Sequence, residues 1–174
     1  MADLADELPG RIGLTVLPGK RGASVRYPGR IYRGDLEQDL GALIDAGVRR
    51  LVLLVDDEEL ARWGDPAIVE RGRAAGIEIE RYPMADGSAP PDAAAMHAIL
   101  ASIRSGRARG DVAVACMGGV GRSGTVAACA LVAAGWDADR AVARVRELRH
   151  PTAVETTVQM DFVRKFHRAA RTGR

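Results

Sequence analysis

Apolar positions in this chain change period several times, and each change marks an element. Leu36, Leu40, Leu43 and Ile44 recur at the spacing of one helical face. They predict a helix over 35–46 that Asp35 caps and Gly47 stops. Residues 48–55 read as a buried strand, nearly continuous in apolar residues as parallel sheets require. A short helix over 56–63 follows, then a second from Pro66 to Ala75 that Gly76 ends, then an alternating strand over 77–82. Residues 83–91 form a loop, and Asp92 caps a helix to about residue 105. Residues 111–115 are a second apolar strand. Beyond them the pattern is helical only, over about 123–134, 139–148 and 155–170. Upstream, 1–10 reads as a loose leader, 17–22 as a turn-rich stretch and 29–33 as a short strand. Alternating strands and helices with a helical C-terminal part predict an α/β fold, a partly parallel central sheet of about four to five strands flanked by helices. All of it fits a single domain over 1–174.

Composition narrows the function classes. The chain has 174 residues, 47% hydrophobic and 28% charged, with a net charge of +2. That charge is too small to point to nucleic acid or a membrane surface. No apolar stretch is long enough to span a bilayer, and the acidic start Met1-Ala2-Asp3-Leu4-Ala5-Asp6-Glu7 lacks the basic region of a secretory signal. Cys116 and Cys129 do not make a disulfide framework. A cytoplasmic location, where thiols stay reduced, is the expectation.

The informative segment is Cys116-Met117-Gly118-Gly119-Val120-Gly121-Arg122-Ser123-Gly124-Thr125. It joins the strand over 111–115 to the helix that follows. A thiol thus lies at the base of a loop whose backbone N–H groups can converge, with a helix N-terminus and a guanidinium aimed at the same point. Such a cup suits a phosphate dianion and lowers a thiol pKa. The rival glycine motifs fit less well. A nucleotide-binding Gly-x-x-x-x-Gly-Lys-Ser/Thr loop needs glycine at Cys116 and lysine at Arg122, and a Gly-x-Ser-x-Gly elbow needs glycine at Thr125. Residues 119–124 do spell Gly-x-Gly-x-x-Gly, but the dinucleotide fold needs a further strand ending in an acidic residue, where 137–149 reads as helix.

The cup implies cleavage of a phosphate ester through a covalent intermediate. Cys116 is the nucleophile, and the amides of Met117, Gly118, Gly119, Val120, Gly121 and Arg122 bind the equatorial oxygens. Arg122 adds a bidentate fork that lysine could not imitate. Ser123 hydrogen-bonds the sulfur and helps it leave. Asp86, in Pro83-Met84-Ala85-Asp86-Gly87-Ser88-Ala89-Pro90, is the candidate general acid, carried on a mobile flap. Asp92 reads better as a helix cap, and Cys129 as an inert core thiol. His97, His150 and His167 read as structural or solvated. No His/Cys cluster has metal-ligand spacing. The chemistry calls for no metal or other cofactor.

Cys-x-x-Gly-x-Gly-Arg-Ser/Thr-Gly resembles the phosphate-binding loop of the protein tyrosine and dual-specificity phosphatases. Leu17-Pro18-Gly19-Lys20, 39–53, Glu58-Glu59-Leu60, Pro83-Met84-Ala85-Asp86-Gly87, 126–129, 141–148, Ala153-Val154-Glu155-Thr156 and Gln159 extend the likeness over roughly 12–168. Within that family they resemble the kinase-associated phosphatase (cyclin-dependent kinase inhibitor 3-like) group and its bacterial relatives. The resemblance implies a dual-specificity phosphatase-like fold and a phosphorylated protein or peptide as substrate. It places Gln159 beside the site. One departure stands out: the family has histidine directly before the nucleophile, where this chain has Ala115. Its absence implies a higher Cys116 pKa than in typical relatives. It also leaves open a catalytically weakened phosphoprotein-binding module as the alternative. Few aromatics (4%) favour a shallow pocket for phosphotyrosine and phosphoserine or phosphothreonine. Met117 and Val120 at the variable loop positions disfavour inositol phospholipids, whose relatives carry lysines there. The sequence does not indicate an oligomeric state.

Overall fold

A computed structural model describes residues 2–3, 11–24 and 27–172. Ala2–Asp3 (β1) pairs antiparallel with Ile12–Val16 (β2). The rest of the leader expected over 1–10 lies outside the described residues. Arg21–Ala23 (β3) and Ile31–Arg33 (β4) pair antiparallel in a separate two-stranded sheet. Leu36–Asp45 (α1) starts where the Asp35 carboxylate accepts from the Gln38 amide, and Val48–Leu53 (β5) follows. Asp57–Trp63 (α2) opens on a capping box between Asp56 and Glu59. Ile68–Ala75 (α3) leads to Glu78–Arg81 (β6). Ala93–Arg107 (α4) is capped by Asp92, and Asp111–Cys116 (β7) comes next. Three helices finish the chain: Gly121–Ala133 (α5), Ala138–Leu148 (α6) with its Asp137 cap, and Thr157–Thr172 (α7).

The main sheet runs β1-β2-β7-β5-β6, with β2, β7, β5 and β6 mutually parallel. β7 is therefore a central strand, and its alternation decides where the chemistry faces. Val112, Val114 and Cys116 point into the layer built by α4, α5, α6 and α7. Ala113 and Ala115 point into the opposite layer, among residues of α1, α3 and β5 such as Leu40, Ile68 and Leu51. Each fully buried Leu, Ile or Val side chain in these layers contributes about 1.5–3 kcal/mol. Position 115 is thus a dry, apolar site on the far side of the sheet from the sulfur. An alanine there completes the packing.

Two features depart from the sequence pattern. β2, unread in the pattern, is an inner strand; five residues that include Gly13 and Thr15 give too short a signal to separate from loop. The strand expected over 48–55 ends at Leu53 and holds a buried cation. Arg50 sits after a register shift and binds Glu78 at 2.8 Å, Glu80 at 3.1 Å and the Ser102 carbonyl at 2.6 Å. The partners on β6 and α4 make an otherwise costly burial tolerable. Among the described residues no helix is long and apolar enough to cross a membrane, and no strand follows β7.

Candidate active site

The site sits where β7 ends and α5 begins, at the carboxyl end of a parallel strand. Cys116 closes β7 opposite Val16 of β2, and Gly121 is already the first residue of α5. Only four residues bridge them, so the backbone must coil tightly. Gly119 takes φ +65 there, and a Cβ on it would lie 2.6 Å from the Thr15 carbonyl and from Arg149 Nη2. Glycine is demanded both by conformation and by close approach.

The sulfur and its neighbours are buried. Cys116 Sγ lies 3.4 Å from Ser123 Oγ. Burial alone would push the thiol up. The Ser123 hydroxyl and amide, the Arg122 guanidinium and the Gly118 amide outweigh it and hold Cys116 below the ordinary thiol value. Cys129, in the middle of α5, has burial and nothing to offset it, so its thiol is pushed far up. The two cysteines share a hydrophobic layer, and their thiols are shifted in opposite directions for that reason.

Arg122 is 1% exposed and is held end-on by a residue the motif does not contain. Its Nη1 donates to Glu59 Oε2 at 2.5 Å and its Nη2 to Glu59 Oε1 at 2.7 Å. Nη1 also donates to the Met84 carbonyl at 2.9 Å, and Nη2 lies 3.1 Å from Asp86 Oδ1. Desolvation opposes the charge; Glu59, the Cys116 sulfur and Asp86 more than offset it and raise the Arg122 pKa. Nε is buried and has no hydrogen-bond partner. Glu59 thus occupies the end of the fork; on the Nε–Nη2 edge Nε is unpartnered and Asp86 Oδ1 stands beside Nη2, where an oxyanion could take its place. Glu59 belongs to the capping box of α2, and in sequence it is indistinguishable from any helix-start glutamate.

Asp86 lies on the loop expected to carry it, with its side chain 78% exposed. The loop is tethered at both ends. Arg122 holds the Met84 carbonyl on one side; on the other, Thr156 Oγ1 donates to the Gly87 carbonyl at 2.8 Å and Gln159 Nε2 to the Ser88 carbonyl at 3.0 Å. Gln159 is fully buried, and its Oε1 accepts from the Glu155 amide at 2.8 Å and, more weakly, from the Thr156 amide. Its amide is committed to joining the Asp86 loop to the start of α7. The neighbour that lines the cleft is Glu155, whose carboxylate occupies the space that a side chain at Gly121 would need.

The cup opens into a cleft of about 620 Å³, lined by Met117, Gly118, Val120 and Asp86 on the loop side. Tyr27, Tyr32 and Trp63 form much of the facing wall, so three of the chain's seven aromatics (two Trp, three Tyr, two Phe) gather at this one place. Low aromatic content therefore did not mean an aromatic-free cleft. His150 also lines it, while its Nδ1 is 2.9 Å from the Thr152 hydroxyl; His97 instead packs against Phe166. Among the described residues no group of three or more His, Cys, Asp or Glu is placed to hold a metal ion.

A family model described as "Swiss Army Knife protein, DSP-PTPase phosphatase domain" matches residues 24–172. The cyclin-dependent kinase inhibitor 3 of Homo sapiens is 26% identical over 160 residues, 89% of this chain and 71% of that protein. Among solved structures, kinase associated phosphatase with serine in place of its catalytic-site cysteine superposes with a TM-score of 0.83, covering 98% of this chain and 93% of its own at 23% identity. Tk-PTP in its active form superposes at 0.72, covering 91% and 92% at 28% identity.

Proposed function

Since this chain belongs to the DSP-PTPase phosphatase family, we propose that it hydrolyses phosphorylated protein or peptide through a phosphocysteine intermediate. Phosphotyrosine is the leading substrate. Phosphoserine and phosphothreonine are the further substrates of this reading. The observation that carries the reading is one arrangement: a thiol held below its ordinary pKa, facing an arginine whose Nε–H edge is unclaimed.

The steps follow from these groups. The phosphate dianion enters the cup, where loop amides and the Nε–Nη2 edge of Arg122 take its equatorial oxygens. The Cys116 thiolate attacks phosphorus, and the bond to the leaving oxygen breaks. Asp86 gives that oxygen its proton, so the product leaves as a neutral alcohol or phenol. Water then attacks the phosphocysteine, passing its proton to Asp86. The S–P bond breaks, phosphate departs, and the Ser123 hydroxyl stabilises the returning thiolate. Gln159 acts as a positioning residue by tying down the acid loop. The alternative of a binding module without turnover drew on Ala115. That side chain faces the other layer of the sheet, away from the sulfur, and the intact Cys116, Arg122 and Asp86 support catalysis instead.

The first test is hydrolysis of p-nitrophenyl phosphate and a phosphotyrosyl peptide by the purified protein; no turnover above background would overturn the reading. Asp86→Ala is expected to lower kcat by about 10²–10⁴-fold with KM little changed, because the proton is needed in the transition state and not for binding. An equal loss in Asp86→Asn would support the acid role, and unchanged kcat in both would remove Asp86 from it. Gly119→Ala is expected to lower kcat/KM by about 10²-fold through misplaced amides, with circular dichroism unchanged. Near-normal activity would show that the loop tolerates a Cβ at φ +65.

A further inference from the structure

Three carbonyls on the outer side of the phosphate loop are held by two cations that come from distant parts of the chain. Lys20 Nζ donates to the Met117 carbonyl at 3.0 Å. Arg149 Nη2 donates to the Gly118 carbonyl at 3.2 Å and its Nε to the Gly119 carbonyl at 2.7 Å. A trans peptide is planar, so its C=O and the N–H of the next residue point in opposite directions. Drawing these three carbonyls outward therefore turns the N–H groups of Gly118, Gly119 and Val120 inward. The Gly118 amide is one of the groups that lower the Cys116 pKa. A cation at the oxygen end of a peptide also polarises it, which strengthens the donor at the other end.

Both cations are themselves placed by the fold. Lys20 follows β2 in a turn where Gly19 takes φ +71 and donates its amide to Asp39 Oδ2 at 2.7 Å. The Lys20 carbonyl accepts from the Gly34 amide at 2.8 Å. Its ammonium lies 3.9 Å from the centre of the Tyr32 ring. Arg149 caps the C-terminus of α6. Neither cation has a carboxylate partner among the described ion pairs, so both are available to the loop.

Resting on the phosphatase reading of the same loop, we propose that Lys20 and Arg149 are positioning residues that hold the loop amides toward the sulfur and keep Cys116 ionised. They act through the peptide planes of the loop, and both also line the cleft above it. The other ionisable groups around the cup are Arg122, with Glu59 and Asp86 bound to it, and, along the cleft, Arg30, Asp56, Glu58, Arg62, Glu155, His150 and the phenols of Tyr27 and Tyr32.

The test is the pH dependence of Cys116 alkylation by iodoacetamide, a neutral reagent, followed by mass spectrometry on the full chain. Lys20→Met keeps the stem and removes the charge; Arg149→Met does the same for the second clamp. Each is expected to raise the alkylation midpoint by about one pH unit, a tenfold drop in thiolate fraction below it. In kinetics, kcat for p-nitrophenyl phosphate falls about tenfold, and Lys20→Arg restores both values. Arg149→Lys keeps the charge but cannot span two carbonyls, so it shifts the midpoint part of the way; it replaces Arg149→Met if that variant does not fold. Midpoints unchanged from the parent protein in folded variants would overturn the proposal and leave the two contacts purely structural. Absence of turnover in the parent protein would instead overturn the phosphatase reading, and the alkylation midpoints would still decide the positioning role.

Discussion

Cys116→Ser is expected to abolish turnover of p-nitrophenyl phosphate, by at least about 10⁴-fold, while the protein stays folded. The substitution exchanges sulfur for oxygen in a buried site and adds no volume. What it removes is the ionisation. The Ser123 hydroxyl and amide, Arg122 and the Gly118 amide together bring a thiol below its ordinary pKa against the burial penalty. An aliphatic hydroxyl starts many units higher, and the same groups cannot make it an alkoxide at neutral pH. A second consequence separates a lost nucleophile from a damaged loop. Without a thiolate beneath it, a bound phosphate dianion meets less repulsion, so a phosphotyrosyl peptide should bind Cys116→Ser at least as tightly as the parent. Kinetics and calorimetric titration on the same preparation check both halves. Residual activity near the parent level would remove Cys116 from the chemistry, and lost peptide binding would mean the cup itself had changed.

Glu59→Ala is expected to destabilise the protein by about 3–5 kcal/mol and to lower kcat/KM by about 10²-fold. The reason is the cation it would abandon. Arg122 is 1% exposed and would retain only the Met84 carbonyl and the exposed Asp86. The α2 capping box would also lose the bond from the Asp56 amide to Glu59 Oε2. Freed from its end-on partner, the guanidinium can turn toward Asp86, and its Nε–Nη2 edge is no longer aimed. Glu59→Gln keeps the shape and one acceptor, so it should fall between the parent and Glu59→Ala in both measures. Urea denaturation and steady-state kinetics read the two losses. If Glu59→Ala matched the parent in midpoint and in kcat/KM, the orientation of Arg122 would have to come from elsewhere.

Much of the architecture was legible because local chemistry repeats. Asp35 and Asp92 cap helices where side-chain oxygens next to an apolar period predict caps, and the three last helices fall within a few residues of their expected bounds. The loop over 116–124 was legible for a different reason: a thiol, clustered glycines, an arginine and a serine in so short a span match one family motif, and the family model covers it. β2 was missed because five residues carry too little periodicity. Glu59, Lys20 and Arg149 were missed as parts of the site because their own segments explain them fully, as a helix cap, a turn cation and a helix-end arginine. Gln159 is expected near the site by resemblance; its amide is spent on the Ser88 carbonyl and the Glu155 amide, and Glu155, four residues earlier, lines the cleft.

The chain's own order of residues determined that a thiol, an arginine and a serine would share one tight loop at the end of a strand, since spacing of a few residues leaves the backbone little choice. It also determined that the thiol would share a face with Val112 and Val114 and not with Ala115, because side chains alternate; which layer that face meets came from the tertiary structure. What only the tertiary structure decided was the orientation and charge state of those groups. Strand order β1-β2-β7-β5-β6 is not chain order, and it brings Lys20, Glu59, Asp86 and Arg149 to the loop from four separate segments. Coulomb attraction and hydrogen bonds act over a few ångströms of space, and residues 30 to 97 positions apart along the chain share that space only once the sheet has formed.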